Sequence, residues 1–179
     1  MAPPIKFAHV VLRTSRYEEM IEWWTTALEA EVRYGNDFLS FMSYDDEHHR
    51  IAIAKMSNLT DVDRSVAGVE HVAFTWATLD DLLEHYLKLK GLGIEPFWSI
   101  NHGMTLSAYY RDPDGNQVEF QVDVCSLDEA DEFMQSDAFA ANPIGVAANF
   151  DDIVARRKAG ESVESLTAYV PGEMAFPSR

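Results

Sequence analysis

His9 and His71 stand at equivalent places in two similar stretches, Phe7-Ala8-His9-Val10-Val11-Leu12 and Val69-Glu70-His71-Val72-Ala73-Phe74. A pseudo-twofold relation between such repeats would bring the two imidazoles together. The donor they lack for holding a metal is a carboxylate, and Glu119 offers one. Val118, Phe120 and Val122 alternate along an apolar face, which sets Glu119 and Gln121 on the opposite face of the same strand. A mid-strand glutamate is disfavoured by propensity and by burial, so it wants either a cation or a solvated face. Two imidazoles and one carboxylate with open positions form the facial triad typical of non-haem ferrous iron. The competing reading is structural: a strand histidine is commonly a core residue, and Glu119 could point to water.

The elements that must carry these residues repeat as well. Each histidine-bearing stretch is rich in Val and Phe and reads as a strand. Each is followed by a helix with its own start signal. Ser15 with Glu18 precedes Met20, Trp23, Trp24, Ala27 and Leu28, and Thr78 with Asp81 precedes Leu82, Leu83, Tyr86 and Leu87. The second helix is expected to stop at Gly91-Leu92-Gly93. Strand-like runs follow at 30–34, 38–44 and 49–56 in the first half, and at 94–100, 105–111 and 117–122 in the second. Asp112-Pro113-Asp114-Gly115-Asn116 is a strong turn signal between the last two runs. If that turn centres on Asp114, Arg111 faces Gln117 and Tyr109 faces Glu119 on one side of the sheet, while Tyr110 points the other way.

The predicted fold class is therefore α+β, with two βαβββ modules at about 5–57 and 67–124. Residues 1–124 make a single catalytic domain and 125–179 a C-terminal helical extension and arm. The extension has a capping-box start at Ser126, a break at Asn142-Pro143-Ile144-Gly145, and a helix over 151–159 with acids at its start and bases at its end, as the helix dipole favours. Its apolar residues Phe133, Phe139, Ile144, Phe150, Ile153 and Val154 are too many to leave in water. They must pack either over the mouth of the sheet or against another subunit; subunit contact is the expected use, making the protein a homo-oligomer.

Fourteen Lys plus Arg against thirty Asp plus Glu leave a net charge of −16 over 179 residues. Such a surface repels phosphate backbones and anionic lipid, so neither nucleic acid nor membrane is an expected partner. The first residues hold no apolar run suited to a signal peptide, and no stretch approaches a membrane span. The single cysteine, Cys125, excludes an intrachain disulfide and fits a cytoplasmic location. Aromatic residues at 12% and seven methionines suit a pocket for an apolar ligand.

The paired modules with His9, His71 and Glu119 resemble the vicinal oxygen chelate superfamily, which includes glyoxalase I, fosfomycin-modifying enzymes, bleomycin-binding proteins and type I extradiol dioxygenases. The resemblance runs over about 7–124, and the stretch from Tyr109 to Glu119 is similar to the hairpin that carries the superfamily's metal carboxylate. Three further residues resemble the dioxygenases in particular, in their small one-domain form. His49, in His48-His49-Arg50-Ile51-Ala52, is similar to their His-x-x-Ala segment, where the histidine is an acid–base group facing dioxygen. His102, in Asn101-His102-Gly103, resembles their histidine that hydrogen-bonds substrate, although its spacing to Tyr109 is two residues shorter than in the large two-domain enzymes. Tyr109 stands ten residues before Glu119, as the family's active-site tyrosine does.

The resemblance implies that the two modules form a partly open mixed β-barrel around a metal site, and that the reaction is extradiol cleavage of a catechol by dioxygen at a non-haem Fe(II) site, with Mn(II) as the other metal. A bicyclic catechol such as 2,3-dihydroxybiphenyl is the implied substrate. One carboxylate leaves an Fe(II) site at +1, which a singly deprotonated catechol would neutralise. Two rival readings stay open. One is a glyoxalase-type isomerase or thiol transferase, which usually wants a fourth protein ligand or basic residues for glutathione or phosphonate. The other is a metal-free module that sequesters a cationic small molecule. The ordinary alternatives are a solvated turn for His48 and His49, a loop for His102 and a core position for Tyr109.

Overall fold

A computed structural model describes residues 2–177; Met1 and the last two residues of the expected arm lie outside the described residues. The chain divides into two compact units, one of residues 1–68 with 112–116, the other of residues 69–111 with 117–179.

In the first unit a four-stranded mixed sheet runs in the order β1-β4-β3-β2, from β1 (Val10–Thr14), β2 (Glu31–Gly35), β3 (Leu39–Ser43) and β4 (Ile51–Lys55). β1 pairs parallel with β4, Val10 opposite Ile51, and β3 lies antiparallel to β4 and β2. Helix α1 (Tyr17–Leu28) buries Tyr17, Met20, Trp24, Ala27 and Leu28, the stripe expected of a 3.6-residue period. Its start differs from expectation. Arg16 is the N-cap and makes no side-chain cap, and Ser15 takes no part. Thr14 Oγ1 instead accepts from the Arg16 N–H at 2.8 Å, so the end of β1 satisfies that donor. The turn at 112–116 clusters with this unit. The Asp112 carboxylate accepts from the backbone N–H groups of Asp114 and Asn116 and from Trp24 Nε1, and Asp114 takes Arg16 at 2.8 Å.

The second unit is a five-stranded sheet in the order β5-β8-β7-β6-β9. Its strands are β5 (His71–Trp76), β6 (Trp98–Asn101), β7 (Thr105–Arg111), β8 (Gln117–Asp123) and β9 (Val146–Ala147). β5 and β8 are parallel, while β7 lies antiparallel to β8 and to β6. Strand β6 starts at Trp98 rather than at 94, because Pro96 has no N–H to give a ladder. Val118, Phe120, Val122, Leu106, Ala108 and Tyr110 make a buried apolar face. Helix α2 (Leu79–Gly91), capped by Thr78 as expected, buries Leu82, Leu83, Tyr86 and Leu89 in this core.

The extension adds α3 (Leu127–Met134) with the expected Ser126–Glu129 capping box, α4 (Asp137–Ala141), α5 (Phe150–Lys158) and α6 (Val163–Thr167). Here one expectation is corrected. Phe150, Ile153 and Val154 do not wait for a neighbouring subunit; they are buried within their own chain. Phe150 packs 5.3 Å from the Tyr86 ring of α2, and Asp151 accepts from Tyr86 Oη and Lys90 Nζ. Among the described residues no helix is long and apolar enough to cross a membrane.

Candidate active site

The register places Tyr109 opposite Glu119 and Arg111 opposite Gln117, as the turn position requires, with Ala73 on the other side of Glu119. Residues two apart share a sheet face, so His71, Ser107, Tyr109 and Glu119 converge on the face opposite the apolar one. Glu119 is only 5% exposed. It does not point to water. Its Oε2 lies 3.0 Å from His71 Nε2, and its Oε1 lies 3.8 Å from His102 Nε2. Burial works to raise the Glu119 pKa, but hydrogen bonds from His71, Ser107 and Tyr109 outweigh it and hold the group below the ordinary glutamate value. Tyr109 shows the complement. Burial, then the neighbouring Glu119 charge, push its phenol well above the ordinary value, so it stays protonated. The His71 and Tyr109 rings meet edge to face at 5.2 Å. Tyr109 Oη lies 3.1 Å from His102 Nε2, and Trp98, opposite Tyr109 on β6, covers its ring at 4.5 Å.

The first unit gathers its own histidines. His9 sits one residue before β1, and His49 two residues before β4. Their rings are 4.3 Å apart, and Phe41 stacks on His49 at 4.4 Å. His48 Nδ1 lies 2.6 Å from His49 Nδ1. Burial, with smaller contributions from His9 and His48, lowers the His49 pKa, which favours the neutral ring. The segment is not a loose solvated turn. Arg50 binds Asp45 through Nε and Nη2, and its Nη1 donates to the carbonyls of Phe7 (2.7 Å) and Ala8 (3.1 Å). One guanidinium thus ties the residues beside His49 to those leading into His9.

The structure brings His71, Glu119, His102 and Tyr109 together in one unit, and His9 with His48 and His49 in the other. Among the described residues no group of three or more His, Cys, Asp or Glu side chains stands ready-made around one metal position. Arg50, Trp98 and Ser107 were not singled out from the sequence. For Arg50 a signal existed in Asp45 five residues earlier, since an Arg fork can bind a carboxylate through two parallel hydrogen bonds. Trp98 and Ser107 needed the register.

Two mixed sheets built from repeated βαβββ units, the second with His71 and Glu119 on one face, define the class of fold. The Glyoxalase/Bleomycin resistance protein/Dioxygenase superfamily profile matches residues 6–120, and the chain belongs to that superfamily. It is 45% identical over 168 residues to biphenyl-2,3-diol 1,2-dioxygenase 2 of Rhodococcus globerulus, covering 92% of this chain and 87% of that one. It is 38% identical over 165 residues to biphenyl-2,3-diol 1,2-dioxygenase 3 of the same organism, covering 90% and 87%. A lactoylglutathione lyase of Neisseria meningitidis is 24% identical over 127 residues, 65% of this chain and 89% of that one. Among solved structures, a glyoxylase/bleomycin resistance protein/dioxygenase domain from Frankia sp. EAN1pec superposes with a TM-score of 0.57 at 19% identity, over 68% of this chain and 99% of that one. That likeness concerns the fold. A match covering 92% of the chain must run well into the extension beyond residue 124, whereas one covering 65% need not.

Proposed function

We propose that the protein is an extradiol dioxygenase that opens the ring of a catechol, with 2,3-dihydroxybiphenyl or a similarly substituted bicyclic diol as substrate. The observation that carries this reading is the 45% identity to a biphenyl-2,3-diol 1,2-dioxygenase over almost the whole chain. A 1,2-cleavage of a 2,3-diol breaks the bond next to the hydroxylated pair, which is extradiol chemistry. His71 and Glu119 would hold the metal together with His9, the equivalent residue of the first repeat. The donor chemistry fits, since a buried carboxylate kept ionised beside an imidazole is what a divalent cation requires. Ferrous iron, when bound, supplies the one-electron chemistry that removes the spin barrier between a catechol and dioxygen; Mn(II) is the other metal compatible with this donor set.

The remaining roles belong to the chain's own side chains. His49, kept neutral by burial, accepts the second catechol proton and returns it during ring opening. His102 and Tyr109 hydrogen-bond the substrate oxygens as their charge changes, and Tyr109 is held protonated for donation. Trp98 and Phe97, at 4.5 and 6.4 Å from the Tyr109 ring, give this face apolar aromatic walls. We further propose a soluble, cytoplasmic homo-oligomer with a single catalytic domain over residues 1–124, without nucleic-acid or membrane partners. The test is anaerobic purification, addition of ferrous or manganous ion and 2,3-dihydroxybiphenyl, and admission of air. A yellow ring-opened product is expected. Turnover of the methylglyoxal–glutathione adduct with no catechol cleaved would overturn the reading in favour of an isomerase. Tight binding of cationic drugs with no turnover at all would favour a sequestering module.

A further inference from the structure

His102 meets the extension through its other ring nitrogen. Nδ1 lies 2.5 Å from the Ile144 carbonyl oxygen. A carbonyl can only accept, so Nδ1 carries the proton, and in the neutral ring Nε2 is left with its lone pair. Nε2 is the atom that faces Tyr109 Oη at 3.1 Å on the side of Glu119. The loop that presents Ile144 is built for position. Asn142 is buried, its Nδ2 donating to the carbonyls of Gly145 (2.9 Å) and Gly172 (3.2 Å), its Oδ1 accepting from the N–H groups of Ile144 (3.2 Å) and Gly145 (2.8 Å). Gly145 has φ +114, and a Cβ there would collide with the Asn101 carbonyl and stand 2.9 Å from His102 Cα. Only glycine allows the loop this close. On the following residues β9 pairs with β6, Asn101 opposite Val146, and Asn101 Nδ2 donates to the Thr167 carbonyl at 2.9 Å.

We propose that residues 142–147 are a positioning device for His102: the extension fixes its ring as the Nδ1–H tautomer, so that Nε2 meets the substrate hydroxyl as a hydrogen-bond acceptor. Asn142 is then a positioning residue that acts through Ile144 and His102. The proposal rests on the reading of His102 as a substrate-contacting group, but the tautomer is a property of the protein alone.

The test has two readouts. In full-length protein with 15N-labelled histidine, purified with chelator and kept at mildly alkaline pH, long-range ring correlations report which nitrogen is protonated. The His102 signal is identified by its loss in His102→Gln. Wild type is expected to show Nδ1–H, while Asn142→Ala and Gly145→Ala should shift toward a tautomer mixture. Their kcat on 2,3-dihydroxybiphenyl should fall about 10-fold or more, with KM changing less. Arg156→Ala, on α5 of the same extension, should leave both readouts unchanged, because that side chain pairs with Asp152 and Glu161 on the surface. An Nε2–H tautomer in wild type overturns the proposal even if both loop variants fail to fold. So do folded variants that keep the wild-type tautomer and kcat. If wild type cleaves no catechol, the proposed function fails while the tautomer result stands on its own.

Discussion

Glu119 is an acid kept ionised where burial alone would protonate it, and its neighbours have been chosen accordingly: donors from His71, Ser107 and Tyr109 on one sheet face. Glu119→Gln keeps the shape and loses the charge. Iron retained after gel filtration should fall sharply, and ring cleavage should drop by about 100-fold or more; a variant with full iron and full turnover would remove Glu119 from the site. His49 makes a different prediction, because it is proposed as a proton carrier and not a ligand. His49→Phe should keep iron and still bind catechol, while kcat falls by about 10²–10⁴. Loss of iron in that variant would make His49 a ligand instead. At this scale the sequence was informative where local rules apply. The Asp112–Asn116 turn and strict alternation were enough to set Tyr109 opposite Glu119. The His102–Ile144 hydrogen bond spans 42 residues and depends on a glycine loop's approach to β6, and no local pattern encodes that.

Among the elements, the β3–β4 connection shows how a polar run that reads as solvated can be a fixed structure. Asp45 accepts both Arg50 Nε and Nη2, and the Arg50 hydrogen bonds draw its pKa down to about 2, below the ordinary value near 4. A carboxylate whose pKa is depressed by folding stabilises the fold fully above its unfolded value, and that stabilisation is lost as pH falls through the folded one. Asp45→Asn should therefore lower Tm at pH 7, by an amount matching about 1 kcal/mol or less for a partly exposed pair. The gap from wild type should close as the pH is lowered from about 4 toward 2; a gap unchanged over that range would show that the carboxylate charge contributes nothing. The strands themselves were legible from Val, Ile and aromatic runs, as was the Thr78 cap. The Ser15 cap was not formed, because Thr14 at the end of β1 already serves the Arg16 N–H. The short α4, β9 and α6 carry too few residues for a periodic signal.

For the molecule as a whole, the decisive element is the extension, whose apolar residues read from sequence as surplus to the catalytic modules. Its helices instead complete the second unit. Phe150, Ile153, Val154 and Leu166 are all buried, the Phe150 ring lies on Tyr86 of α2, and β9 adds an edge strand to β6. Burying one such side chain is worth about 1.5–3 kcal/mol, so losing four would take about 6–12 kcal/mol, comparable with the whole stability of a typical domain. Truncation after Val124 should therefore do more than alter assembly. The shortened chain is expected to melt without cooperativity or to precipitate, as read by circular dichroism and light scattering. A gentler cut separates packing from assembly: Phe150→Ala leaves the chain intact and should cost about 3–5 kcal/mol if the ring is part of the core. A subunit-contact role predicts the reverse pattern, with near-normal Tm for the monomer and a smaller particle by light scattering. Lowered Tm at unchanged mass is the expected result, because Phe150 is 3% exposed within a single chain.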